Sequence, residues 1–194
     1  FRWWSDYSSQ MGNWGVHYMD VIRWMMGVTA PVAISAVGGK YVVNDDRTIP
    51  DTMDVVFEFA SGALVTFSIY EASSGGLFQF GEVELRGTLG TLNASEGGYR
   101  ITPARNGQFQ DYRHELKAEE FSVKDTLLPD GSSGDSTGNL VRNFLDCVKS
   151  RRLTVANPVV MHRSMSTVHA ANVCMWLKRD MKFDPAKEEF VNDA

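Results

Sequence analysis

The sequence has few of the residues that usually mark disulfide or metal chemistry. Its 194 residues include two cysteines and four histidines. Cys147 and Cys174 lie in predicted helices without CxxC spacing, which excludes a disulfide framework and predicts two buried free thiols. The histidines are scattered, with no HxxxH or HExxH pair, so we expect no bound metal.

Basic clusters and long apolar runs are also missing. The net charge is -5, and the densest positive run is Lys149, Arg151 and Arg152, so we expect no nucleic-acid partner. No apolar run approaches the roughly 20 residues that cross a bilayer, and the first residues do not resemble a signal peptide. GxGxxG and P-loop motifs are absent. Composition alone therefore predicts a soluble globular protein with no membrane partner.

The spacing of apolar residues changes along the chain from the period of a helix to the alternation of strands and back. Residues 13–27 predict a helix that begins near Asn13 as N-cap and ends at Gly27. Alternation then predicts antiparallel strands, and two helices close the chain, the last interrupted by the polar Asn172. The predicted strands are 32–43, 55–59, 64–70, 80–86, 91–94 and 99–102, residues 103–136 form the least regular part, and the helices are 139–149 and 159–179.

This order of elements predicts an α+β fold. We expect an open, largely antiparallel (mixed) β-sheet with helices packed on one face. Three helices cover one face, so the other face is available for oligomerisation, as in a homodimer. Gly38 and Gly39 predict a bulge or a close approach of two backbones in the first strand.

Apolar side chains cover two faces of the first helix, which predicts a mostly buried helix. One stripe comprises Trp14, Tyr18, Val21 and Met25, and the second comprises Met19, Ile22 and Met26.

The third face of this helix is polar and carries the first candidate site. Asn13, His17, Asp20 and Trp24 follow one another at i, i+4, i+7 and i+11. A neighbouring amide or carboxylate can fix the His17 tautomer and aim a ring nitrogen at a substrate. A core histidine bonded to the backbone is the other interpretation. His162 is a second candidate, because the start of a helix offers N–H groups to anions or sugar hydroxyls, although packing in the first turn is the favoured interpretation.

Residues 10–20 (QMGNWGVHYMD) resemble the signature that opens the C-terminal domain of the Gfo/Idh/MocA family of glucose-fructose oxidoreductases and inositol dehydrogenases. The resemblance implies that residues 1–194 are the C-terminal substrate and oligomerisation domain, and that an N-terminal Rossmann domain is absent from this chain. Further blocks similar to one bacterial branch follow in the same order over nearly the whole chain: 49–52, 57–59, 87–92, 141–146 and 162–164.

The resemblance also implies a reaction and a set of site residues. Family members oxidise or reduce a sugar or polyol hydroxyl with NAD(P), and the histidine matched by His17 acts as acid/base. The family aspartate four residues earlier is Asn13 here, which can orient a hydroxyl but cannot exchange a proton at neutral pH. We assign catalysis to His17 and Asn13, and substrate binding to Trp14, Asp20, His162 and Arg163.

NAD or NADP is expected in the full-length parent, bound mainly by the missing domain. No cofactor is expected for this chain alone, which we expect to be inactive. Two other functions stay open: an NAD-dependent glycosidase or lyase half, and a non-catalytic sugar-binding or dimerisation module. The expected partners are a small sugar or polyol and a second copy that binds through the open sheet face. The expected location is the cytoplasm, or the periplasm if the missing N-terminus carries an export signal.

Overall fold

The computed structural model of the chain describes residues 2–6, 8–75, 78, 80–104 and 116–191. The chain divides into two compact units, residues 1–74 with 156–194 and residues 75–155. Both units combine a helix with an open antiparallel sheet, which confirms the α+β class. The elements are α1 (Val16–Met26), α2 (Ser136–Ser150), α3 (Pro158–Leu177), β1 (Ala33–Gly39), β2 (Thr52–Glu58), β3 (Leu64–Tyr70), β4 (Val83–Arg86), β5 (Gly90–Ser95), β6 (Gly98–Pro103), β7 (Glu119–Ser122), β8 (Met181–Asp184) and β9 (Glu189–Phe190).

The first unit is built on a five-stranded sheet in the order β3-β2-β1-β8-β9, in which all pairings are antiparallel. Successive side chains of a strand point to opposite faces, so alternate residues are buried. Ile34, Val55 and Phe57 lie on the buried face, against which α3 packs. The opposite face carries Val37, Val56 and Leu64, which are exposed. The predicted arrangement of one covered and one open face is therefore present in this unit.

The helices of the first unit begin and end at recognisable caps. The Asn157 Oδ1 atom accepts hydrogen bonds from the backbone N–H groups of Val159 and Val160 at 3.1 and 3.2 Å, which fixes the start of α3. Gly27 follows α1 with a left-handed φ of 63°, as predicted for its end. In α3 eight residues are buried, including Cys174, whose thiol pKa burial raises to about 11. Cys147 in α2 is half-buried, so only one of the two free thiols is buried as predicted.

A buried carboxylate ends β1 at Gly39, four residues before the end of the predicted strand. The fully buried Asp51 accepts hydrogen bonds from the backbone N–H groups of Tyr41 (3.1 Å), Val42 (2.8 Å) and Val43 (2.7 Å). These N–H groups are therefore unavailable to a neighbouring strand. Burial raises the pKa of the Asp51 carboxyl, but these bonds and one from Thr52 outweigh it and hold that pKa well below its usual range.

Gly38 marks the close approach that the sequence predicted. A Cβ atom at Gly38 would lie 2.2 Å from the backbone oxygen of Thr52 in β2, a distance that no side chain tolerates. Glycine at this position therefore allows β1 and β2 to pair.

The second unit contains a separate four-stranded sheet in the order β4-β5-β6-β7. The prediction of one sheet was wrong, because alternation identifies strands but not their pairing partners. β7 lies within the stretch 103–136 that was predicted to be irregular. α2 begins at its N-cap Asp135, whose carboxylate accepts a hydrogen bond from the Gly138 N–H at 2.7 Å.

The predicted apolar side of α2 exists but is not covered. No residue of this helix is buried. The five apolar side chains are between 43% and 56% exposed: Leu140, Val141, Phe144, Leu145 and Val148.

Among the described residues no helix has the length and hydropathy to cross a bilayer.

Candidate functional site

The segment before α1 is a π-helical turn, Met11–Gly15. The predicted N-cap role of Asn13 is wrong, since Asn13 lies inside this turn and its Nδ2 donates to Gln10 Oε1 at 3.1 Å. The turn is instead held by Ser9. Its backbone oxygen accepts from the N–H groups of Gly12 and Asn13 at 3.0 and 3.1 Å, and its Oγ accepts from the Met11 N–H at 3.1 Å.

Two glycines allow this turn to sit close to its neighbours. A Cβ atom at Gly12 would lie 2.1 Å from Ser8 Oγ. A Cβ atom at Gly15 would lie 2.6 Å from Met11 Sδ and 3.4 Å from the Phe67 ring. The motif glycines are therefore explained by packing.

Only one side of the first helix is buried, so the prediction of a mostly buried helix was wrong. Met19 and Ile22 face the interior. Trp14 is 58% and Trp24 is 78% exposed, and Val21 is also exposed. Because α1 packs mainly on α3, the predicted stripe through Trp14 and Val21 turns to solvent.

His17 lies on this exposed side together with Asn13 and Trp14. Among the described residues, no group makes a hydrogen bond or an ion pair with its ring. The interpretation of His17 as a satisfied core histidine is therefore excluded. Within the described part of the chain neither ring nitrogen has a hydrogen-bond partner, which leaves both available to a ligand, as an acid/base group requires.

Asp20 turns from this surface towards α3. Its Oδ1 accepts a hydrogen bond from Ser164 Oγ at 2.7 Å, and Ser164 Oγ in turn accepts one from Arg23 Nη1 at 2.5 Å. Arg23 is buried and also donates to the backbone oxygens of Thr29 and Val160 at 2.6 and 3.1 Å. Burial lowers the pKa of the Arg23 guanidinium, and the Asp20 charge opposes that shift. Asp20 is thus part of a bridge between α1 and α3, and its substrate role stays a prediction.

Sequence reasoning missed Arg23 and Ser164 as members of this bridge. Asp20 and Arg23 are three residues apart on one predicted helix, so the sequence alone indicates that their side chains are neighbours. Ser164 lies 144 residues from Asp20, so the contact could not be read from local spacing.

His162 and Arg163, near the start of α3, converge on a carboxylate of this chain. Glu188, between β8 and β9, places Oε2 2.6 Å from His162 Nε2 and Oε1 2.7 Å from Arg163 Nη1. Arg163 also donates to the Pro185 backbone oxygen at 2.7 Å. The hydrogen bond from His162 lowers the pKa of Glu188. In the described structure no hydrogen bond connects His162 or Arg163 with His17, and their substrate role stays a prediction.

The described residues do not form a Rossmann dinucleotide site. A Rossmann site holds the pyrophosphate at a glycine-rich turn between parallel strands and a helix. The pairings of the nine named strands are antiparallel, and the chain has no GxGxxG motif. In the same part of the chain, no three His, Cys, Asp or Glu side chains lie close enough together to hold a metal ion.

Two models of C-terminal domains from an oxidoreductase family match this chain. The model described as GFO/IDH/MocA C-terminal domain matches residues 1–93. The model described as oxidoreductase family, C-terminal alpha/beta domain, matches residues 108–194. The chain belongs to the Gfo/Idh/MocA family and carries its C-terminal domain.

Solved structures share the fold at low sequence identity. An oxidoreductase from Agrobacterium radiobacter, in complex with NAD+, L-tartaric acid and magnesium, is 18% identical with a TM-score of 0.61, over 87% of this chain and 47% of that one. GenD2 from gentamicin A biosynthesis, in complex with NAD, is 15% identical with a TM-score of 0.58, over 95% and 51%.

A third structure is the aldose-aldose oxidoreductase from Caulobacter crescentus complexed with glycerol. It is 13% identical with a TM-score of 0.62, over 87% of this chain and 46% of that one. The chain thus spans about half the length of these proteins. No curated protein matches the sequence significantly.

Proposed function

We propose that this chain is the substrate domain of an NAD(P)-dependent oxidoreductase that acts on a sugar or polyol hydroxyl. In this proposal another domain of the full-length parent carries the cofactor, and this chain alone is inactive. The observation that carries it is the exposed ring of His17 beside Asn13 and Trp14, which makes no hydrogen bond with any described residue.

Each of these three side chains has a distinct chemical role in the proposal. Neutral His17 accepts the proton of the substrate hydroxyl on oxidation and returns it on reduction. The Asn13 Nδ2 atom is bonded to Gln10, which leaves the Asn13 carbonyl oxygen to orient a hydroxyl without exchanging a proton. The Trp14 ring offers a flat apolar surface to the apolar face of a sugar ring.

The other predicted substrate residues have weaker support. One carboxylate oxygen of Asp20 accepts a hydrogen bond from Ser164. In the proposal the other oxygen accepts one from a substrate hydroxyl. His162 and Arg163 are bonded to Glu188, so a substrate would have to share or displace that carboxylate.

The ligands of two structural neighbours support the substrate class. The Agrobacterium radiobacter protein binds L-tartaric acid and the Caulobacter crescentus protein binds glycerol, and each of these molecules carries more than one hydroxyl group. The second is named an aldose-aldose oxidoreductase. A small molecule with vicinal hydroxyls is therefore the class we propose for this chain.

We also propose that the open face of the first sheet joins two copies of the chain. Val37 and Leu64 are 69% and 67% exposed on that face. The carboxylate of Asp54 accepts hydrogen bonds from the hydroxyl groups of Ser68 and Tyr70, each 2.6 Å long. A flat surface with few free charges suits self-association.

The test of the catalytic proposal is His17→Ala in the full-length parent. Turnover of aldoses, polyols and inositols with NAD or NADP should fall at least about a hundredfold. His169→Ala is the matched control, because His169 is exposed on α3 outside the proposed site and should leave turnover within about twofold. Equal rates for His17→Ala and wild type would overturn the proposal, and cleavage of a disaccharide would favour the glycosidase or lyase alternative.

A further inference from the structure

Asn172 is a buried amide in α3, and both ends of its side chain form hydrogen bonds. Its Oδ1 accepts a hydrogen bond from Ser9 Oγ at 2.6 Å, and its Nδ2 donates to Ser8 Oγ at 3.0 Å. Asn172 is 6% exposed and Ser9 is 0% exposed. A buried amide satisfied at both ends holds its partners in one orientation.

The two serines are the residues that hold the π-helical turn. Ser9 accepts hydrogen bonds from the first three N–H groups of the turn, those of Met11, Gly12 and Asn13. Ser8 lies against the Cα of Gly12, where no side chain fits. Asn172 therefore anchors the start of the turn from a position 163 residues away.

A π-helical turn contains one more residue than an α-helical turn and is rarely stable without support. If the turn relaxed to an α-helix, the chain before it would rotate by about 100°, the angle of one residue. Asn13 and Trp14 lie inside the turn, so the directions of their side chains relative to His17 would also change, because a residue advances through a smaller angle in a π-helix than in an α-helix.

We propose that Asn172 is a positioning residue that keeps Met11–Gly15 in the π-helical register and so sets the directions of the Asn13 and Trp14 side chains relative to His17. Its meaning for catalysis rests on the proposed function. Its effect on the register is a property of this chain alone.

The experiment compares Asn172→Leu with wild type by nuclear magnetic resonance of the isotopically labelled chain. Leucine has a similar size and removes both hydrogen bonds. We expect Asn172→Leu to lose the contacts between residues i and i+5 in Met11–Val16 and to shift both the Trp14 indole signal and the titration midpoint of the His17 ring. Asn172→Asp should restore all three, because a carboxylate accepts from Ser9 and the Ser8 hydroxyl can turn to donate.

Thr167→Val is the matched control. Thr167 is buried in the same helix, and its hydroxyl bonds the Arg163 backbone oxygen at 2.9 Å without touching the serines. The control should lower Tm by a few degrees while leaving the register, the Trp14 signal and the His17 midpoint unchanged. If Asn172→Leu does not fold, Ser8→Ala removes the Nδ2 contact alone and should move the same signals.

The proposal is overturned if Asn172→Leu, or Ser8→Ala in its place, keeps the wild-type contacts and signals. It is also overturned if Thr167→Val moves them equally, since the effect would then be general destabilisation. The positioning role of Asn172 and the proposed function can be refuted independently of each other. A register change on Asn172→Leu combined with normal turnover of His17→Ala in the parent would sustain the positioning role and end the proposed function.

Discussion

Replacement of Asp51 by asparagine should destabilise the first unit at neutral pH and much less in acid. The carboxylate is fully buried and one of its oxygens, Oδ2, accepts three backbone N–H bonds of 2.7 to 3.1 Å. Asparagine can present its oxygen to the same groups and turn its amide towards the Thr52 hydroxyl. The Asp51→Asn variant therefore retains the geometry of the hydrogen bonds and removes the negative charge.

The magnitude follows from the number and type of these bonds. A hydrogen bond to a charged group contributes about 1.5–3 kcal/mol and a neutral one about 0.5–1.5 kcal/mol. Three bonds that each weaken by about 1 kcal/mol cost about 3 kcal/mol. The asparagine avoids part of the desolvation cost of a buried charge, so we expect a net loss of about 2 kcal/mol. For a chain of this size, that loss lowers Tm by about 4–8 °C.

The pKa of Asp51 determines how its contribution to stability changes with pH. The folded pKa of Asp51 lies below its unfolded value of about 3.9, so its stabilising contribution is complete above that value. The contribution disappears as the pH falls through the folded pKa. The difference in stability between wild type and Asp51→Asn should therefore be largest at neutral pH and shrink below about pH 4.

Urea unfolding of both proteins, followed by circular dichroism between pH 7 and pH 3, measures this difference. Asp54→Asn is the control, because the Asp54 carboxylate accepts two hydroxyl bonds on the open sheet face and no backbone N–H. It should cost no more than about 1 kcal/mol. A stability of Asp51→Asn equal to wild type at pH 7, or a deficit that stays constant down to pH 3, would refute the reasoning.

Two further substitutions test the sheet. Gly38→Ala should lower Tm by clearly more than Gly62→Ala in thermal unfolding, because both glycines have positive φ but only Gly38 lacks space for a Cβ atom. Equal effects would mean that backbone strain, and not the close approach, explains Gly38. Val56→Arg on the open face should convert an oligomer to a monomer in light scattering with an unchanged circular dichroism spectrum, whereas Leu127→Arg, in the second unit, should not. An unchanged mass for Val56→Arg would remove this face as the interface.

The elements that the sequence predicted well are those with local signals. The end of the first helix follows from Gly27, and β2 and β3 follow from alternation around a glycine turn. β7 was missed because its four residues include two adjacent glutamates and give no apolar alternation. The existence of two sheets depends on pairing, which alternation does not report.

The candidate site also combines features that local spacing predicts with features that depend on residues distant in sequence. Spacing predicted a polar face with His17, and the exposed ring agrees with it. The π-helical turn was not predictable, because it depends on Ser9 meeting Asn172, far along the chain. Asp20 was correctly seen as polar on the helix, but its partner Ser164 is equally distant in sequence.

The close contact at Gly38 also bears on how faithfully the sheet assembles. A strand that slips by two residues keeps its apolar side inward, so hydrophobicity alone gives little penalty for that error. The native register places Gly38, whose φ is 155°, opposite Met53, and a two-residue slip would bring Ala36 or Lys40 there instead. Of these three residues only glycine adopts that backbone conformation without strain, so Gly38 favours the native register over the slipped ones.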